Sequence, residues 1–291
     1  MNHPQPLPKP WSIINQSILI YRTNFRLFLR LTLHSTAWFL VSNLLWVAGL
    51  GLFLVSPFAL FIFFSQSSGM QLGHLLAIAI LLLIAISGLS IFTSAKGYLY
   101  QALIGKVAYQ ILSGQPETVQ VDVRDMRGRM WQFWYSAVSI NSGVLLVNNI
   151  TAKFEGGWML LGITLQVLVA AQWFLSDLII AVERCNVGTS LRRSRAQTKS
   201  YFLQVGFILV IIWLLIAPLY LLSFSPAIAV WQLEWQTPEA TLSTGEPILH
   251  LIQALGFSLI LFTLIQTFTI PLWQSTKASL YQAIKASSSV G

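Results

Sequence analysis

The sequence predicts an all-α, polytopic membrane protein, a bundle of six transmembrane helices with amphipathic helices along its cytoplasmic interface. Three observations carry that expectation. Charged residues make up 9% of the chain against 55% hydrophobic ones, where water-soluble domains carry about 25% charged. Apolar runs long enough to cross hydrocarbon recur along the chain. Lysine and arginine then collect on one side of the resulting topology.

The proline-rich start, residues 1–10, is expected to be a disordered cytoplasmic segment, residues 11–286 a single membrane domain, and 287–291 a tail. Trp11, Ile14, Ile18, Tyr21 and Phe25 recur at three- and four-residue steps, with Asn15, Gln16, Arg22 and Arg26 opposite, which predicts a helix lying in the membrane interface. The first span, 27–60, is too long and too late for the core of a cleaved signal and is expected to be retained. It reads as one helix kinked near Pro57. Two short helices would place the basic amino terminus and the basic stretch 96–129 on opposite sides. An uncharged turn containing Gly69 and Gly73 leads to the second span, 72–95. The third, 130–152, holds Asn141, Asn148 and Asn149, side chains that belong against other helices, so it is expected inside the bundle. Spans at 158–182, 201–231 and 248–273 follow, with Pro218 and Pro226 as expected kinks in the fifth.

Charge assigns the sides. Arg22, Arg26, Lys96, Arg127, Arg184, Lys277 and the basic elbow 184–201 fall on one side, and only Lys153 on the other, which carries Glu155, Glu234, Glu239 and Glu246. Both termini are therefore expected in the cytoplasm, in a bacterial inner membrane. The net charge of +8 serves topology, and no nucleic-acid partner is expected. The single cysteine, Cys185, excludes an intrachain disulfide.

Two stretches echo one another. F-T-S-A-K-G-Y-L-Y-Q-A-L from Phe92 and W-Q-S-T-K-A-S-L-Y-Q-A-I from Trp273 align Lys96 with Lys277 and Tyr100 with Tyr281. Three repeated hairpins would produce this, and so would convergence at an interface that favours Lys, Tyr and Trp. The lead-in from Trp11, the elbow S-L-R-R-S-R-A-Q-T-K-S-Y-F from Ser190 and the closing S-T-K-A-S-L-Y-Q-A-I from Ser275 resemble bacterial membrane proteins related to the glycerophosphoryl diester phosphodiesterase membrane domain. The resemblance covers nearly the whole chain. It implies a six-span fold associated with membrane lipid biology, and it carries no catalytic residue across. With the chain ending at Gly291, no catalytic domain is expected to follow.

Motifs for chemistry are missing. His3, His34, His74 and His250 have no carboxylate or histidine partner at ligand spacing, and no nucleophile elbow or phosphate-binding glycine loop occurs, so no catalytic residue, metal or cofactor is expected. Asn149-Ile-Thr151 is a glycosylation triplet of consequence only in a eukaryotic secretory pathway. Two groups of residues remain as candidates. Arg192, Arg193, Arg195 and Lys199 are candidate contacts for anionic lipid phosphates. Asp177, the carboxylate within a span, forms a candidate intramembrane polar site with Asn141, Asn148, Gln166 and Gln172, and its expected ion-pair partner is Arg184 or Arg30. His34 with Arg30 reads as a polar start to the first span or as snorkelling to the head groups. The leading function is a non-enzymatic membrane domain with a basic cytoplasmic face that organises lipids or partner proteins, its expected partners being anionic lipid head groups and a membrane protein or a second copy of itself. The alternative is a small-molecule transporter using the polar residues between spans 3, 4 and 5. An intramembrane enzyme ranks third.

Overall fold

Long apolar segments in a medium without water must satisfy their backbone N–H and C=O groups internally, and all regular structure among the described residues is helical. The computed structural model describes residues 7–64, 72–115, 119–151, 158–236 and 246–289. The turn containing Gly69, the charges Lys153, Glu155 and Glu239, and the ends 1–6 and 290–291 lie outside them. In chain order the helices are α1 Pro10–Thr23, α2 Phe25–Phe64, α3 Leu72–Leu112, α4 Val119–Arg127 and α5 Met130–Thr151. After these come α6 Trp158–Trp173, α7 Ser176–Glu183, α8 Val187–Thr198, a 3-10 turn Lys199–Tyr201, α9 Phe202–Gln236 and α10 Glu246–Ser289.

Five segments are long and apolar enough to cross a membrane: Phe25–Gly49, Ala77–Leu112, Gly162–Glu183, Val187–Val230 and Gln253–Ser287. α5 is not among them, its apolar character diluted by Asn141, Asn148 and Asn149. It also does not sit inside the bundle. α5 packs against α3, α6, α7 and α8, yet Tyr135, Leu145, Leu146 and Ile150 are exposed.

The buried core gathers at one end of the bundle. There α1, the C-terminal part of α3, α4, the start of α5, α7, the start of α9 and the C-terminal part of α10 converge around Phe28, Leu103, Val107, Phe133, Leu178, Ile208 and Tyr281. We call this the basic end, because it also carries Arg22, Arg127, Arg192 and Arg195. At 41 and 44 residues, α3 and α10 are roughly 60 Å long, about twice the thickness of a bilayer's hydrocarbon. Their second halves therefore build this core instead of ending at 95 and 273. Toward the other end the apolar side chains turn outward: Ile84 is 63% exposed, Leu146 63% and Leu221 68%. In hydrocarbon nothing drives such side chains together, whereas beside water the hydrophobic effect does.

Small and polar residues bring the helices close. Ser42 Oγ lies 2.9 Å from Ser90 Oγ and 2.6 Å from Ser94 Oγ, and Ser35 Oγ donates to the Gly97 carbonyl at 3.0 Å. A Cβ on Gly97 would stand 2.8 Å from the Phe39 ring, so α2 and α3 meet here only because it is glycine. In α1 the buried stripe is Ile13, Ile14, Ser17 and Ile20, with Ser17 Oγ donating to Ser279 Oγ of α10 at 3.2 Å. This rotates the helix from the expected stripe. Trp11 and Ile18 face outward.

Candidate functional site

The fourth apolar run is broken between α6 and α7. Ser194 of α8 fills the gap, its hydroxyl donating to the Gln172 carbonyl at 2.9 Å and accepting from the Leu175 N–H at 3.2 Å. Thr198 Oγ1 reaches the same carbonyl at 3.4 Å. Ser190, Ser194 and Thr198, each four residues on, are fully buried on one face of α8. The elbow, expected in water or against anionic head groups, is thus a helix whose Arg192, Arg195 and Lys199 face outward while its stripe of small hydroxyl residues turns inward, satisfying the backbone groups that the break sets free. Asn186 caps its start by accepting from the Thr189 N–H at 2.9 Å. Just before it, Arg184 adopts the left-handed conformation that ends α7, φ 56°, and its guanidinium meets Asp125 at 3.2 Å.

The break places Asp177 in the first turn of α7, where the helix dipole favours a carboxylate. Its partner is neither Arg184 nor Arg30 but Lys277 of α10. Lys277 Nζ donates to Asp177 Oδ2 at 2.6 Å, Gln274 Nε2 approaches the same oxygen at 3.3 Å, and Oδ1 accepts the Leu178 N–H at 3.0 Å. The two charged side chains are only 17% and 8% exposed. Lys96, which aligns with Lys277, instead sits 4.0 Å over the Trp38 ring and 4.7 Å over Phe92.

A cavity of about 230 Å³ opens beside the ion pair, bordered by Asp177, Lys277, Gln274, Tyr98, Asn141 and Trp273. Asn141 is hydrogen-bonded to the Tyr98 side chain. The five residues of the expected polar site therefore separate. Asp177 and Asn141 share the cavity. Gln166 Nε2 donates to Asn148 Oδ1 at 3.1 Å on an exposed flank, and Gln172 serves the helix break through its backbone. Lys277, Gln274, Tyr98 and Trp273 are not among the site residues the sequence points to, although Lys277, Gln274 and Trp273 fall within the motif that closes the chain.

At the basic end, acids are consumed by internal pairing. Lys106 holds Asp122 at 2.7 Å, Asp125 takes Arg184 and Arg129, and Glu183 pairs with Arg193 and accepts the Tyr281 hydroxyl at 2.7 Å. Arg193 is thus engaged within the fold. Arg192, Arg195 and Lys199 project outward, as do Arg22, Arg26, Arg30, Arg124 and Arg127. His34 lies against Tyr100, ring centroids 5.5 Å apart, and its Nδ1 is 2.8 Å from the Arg30 carbonyl.

Cys185 lies between the apolar segments, half-buried. Burial, and then the negative charge of Glu183, push its thiol above the usual range. The thiolate is the reactive form, so iodoacetamide should label Cys185 more slowly near neutral pH than it labels glutathione, and the rate should keep rising at higher pH. Intact-mass time courses across pH read this directly. Equal rates at neutral pH would refute it.

Among the described residues, no three of His, Cys, Asp or Glu gather in a way that would hold a metal ion. The chain matches no family model, no curated protein and no solved structure. What the protein does therefore rests on its own geometry.

Proposed function

We propose that the protein is a non-enzymatic integral membrane domain that gathers anionic lipid head groups at a basic cytoplasmic face. One observation carries the reading. Asp122, Asp125, Asp177 and Glu183 are each paired inside the fold, while Arg192, Arg195 and Lys199 stay exposed on α8 and the turn that follows it, beside the apolar surface of α9. Exposed cations next to an apolar belt attract phosphates of an anionic leaflet, and they do so additively. The same reading places both termini in the cytoplasm of a bacterial-type inner membrane and counts α5 as a sixth span. It includes the three-hairpin repeat, kinship with the glycerophosphoryl diester phosphodiesterase membrane domains, and a membrane-protein partner or second copy drawn by the assembled lipid. Transport has less support, because its polar residues divide among a cavity, an exposed pair and a helix break.

The test is retention of phosphatidylglycerol in native mass spectrometry after mild-detergent purification. The triple variant Arg192→Gln, Arg195→Gln, Lys199→Gln should lose retention on the order of a hundredfold, and rising salt should weaken the parent in the same direction. Unchanged retention in the variant would remove the proposal.

A further inference from the structure

The cavity beside Asp177 and Lys277 is one compartment of a longer crevice. Trp273 borders it, borders an adjoining cavity of about 400 Å³ lined by Val144, Val167 and Leu209, and borders a third of about 270 Å³ reached past Gln101 and Gln274. The first compartment ends in an ion pair with amide and hydroxyl groups around it. The second is almost wholly apolar. Its rim residues Ile163, Val210 and Leu214 are exposed on the apolar flank of the bundle, 48%, 37% and 60%, so it opens sideways, where hydrocarbon would lie.

The two compartments are ordered as a leaflet is ordered. On α10, exposed Leu264 and Phe268 precede Trp273, and Lys277 follows toward the basic end. On α6 and α7, Ile163 and Val167 line the apolar part and Asp177 the polar part, a separation of roughly 20 Å along the chain's helical path. On α5, Phe133 and Asn141 belong to the polar compartment and Val144 to the apolar one.

We infer that this crevice binds one zwitterionic amphiphile, with an ammonium and a phosphate on a small head group and a hydrocarbon chain in the lateral slot. Charge selects the head group. A net anion drawn to Lys277 would compete with Asp177 and leave that carboxylate buried and unpaired, and a net cation would do the same to Lys277. A head group carrying both charges answers both members of the pair and leaves the site neutral. It also gains charge-assisted hydrogen bonds that an uncharged head group does not. Lys277 has N–H groups beyond the one aimed at Asp177. Gln266, lining the third compartment, holds a buried Oε1 with no hydrogen-bond partner among the described residues. This site is separate from the exposed arginines of α8 and makes an independent claim.

The Arg192→Gln, Arg195→Gln, Lys199→Gln protein, which lacks the exposed cations proposed to hold phosphatidylglycerol at the basic face, is purified in a non-ionic detergent free of added anionic lipid and titrated in native mass spectrometry with four probes: phosphatidylethanolamine, phosphatidylglycerol, diacylglycerol of the same chains, and free phosphoethanolamine. The expected result is a single phosphatidylethanolamine adduct, with the other three at least tenfold weaker. Plugging the slot with Val144→Trp or Ala170→Leu, neither of which touches the ion pair's charge, should reduce that adduct at least tenfold. Equal retention of phosphatidylglycerol or diacylglycerol would overturn the head-group selection, and equal binding of free phosphoethanolamine would overturn the need for a chain. Undiminished binding in both plugged variants would overturn the location. The four probes are compared on this triple variant without either plugging substitution, so the ligand class is decided whether or not either plugged variant folds.

Discussion

Lys277→Met is expected to lower unfolding free energy by about 3–5 kcal/mol, because it leaves Asp177 a buried carboxylate without its counter-ion. Gln274 Nε2 at 3.3 Å and the Leu178 N–H at 3.0 Å remain beside it, and two neutral donors do not offset the desolvation of a full charge. Reversible unfolding in sodium dodecyl sulfate measures the loss. The double variant Asp177→Asn, Lys277→Met carries no charge at the site and should regain most of it, since an uncharged pair has no Born penalty to meet. A single variant as stable as the parent would show that the carboxylate is hydrated through the cavity and that the pair contributes little.

Leu103→Ala should cost about 2–5 kcal/mol, and Leu82→Ala, the same substitution about six turns away along the same helix, less than about 0.5 kcal/mol. Leu103 is fully buried in the core at the basic end, whereas Leu82 is 48% exposed on the apolar flank. Truncating Leu103 leaves a cavity in the core at the end of the bundle that meets water. Truncating Leu82 exchanges one apolar surface for another, because lipid tails fill the space a leucine leaves. The same unfolding assay reads both. Equal costs would mean that the hydrophobic effect is not confined to the basic end.

Asp177 shows how far the sequence reaches toward the site. A carboxylate within an apolar run stands out in any reading, since its burial must be answered by something. Which group answers depends on how α7 and α10 approach one another. Gly105 of α3 faces both partners, an added Cβ there coming within 2.9 Å of Gln274 Oε1 on α10 and 3.4 Å of Leu178 on α7. Lys277 is 100 positions away, and its twin in the chain, Lys96, shares its local motif but meets aromatic rings instead. Local sequence does not distinguish the two lysines.

The elbow is the opposite case. Ser190, Ser194 and Thr198 stand at helical spacing in the sequence, but a polar stripe ordinarily faces water, and only an interrupted neighbouring helix makes it favourable inside. The break at 174–175 carries no proline or glycine to announce it.

By itself the sequence determined the helical class, the apolar segments and the one-sided distribution of basic charge, because each follows from what a residue costs in hydrocarbon, a property it carries alone. Tertiary structure decided where the core lies, which arginines remain outside, which lysine meets Asp177 and where a cavity opens. Those depend on pairs of groups brought together from distant positions, and the free energy of a pair belongs to neither sequence position separately.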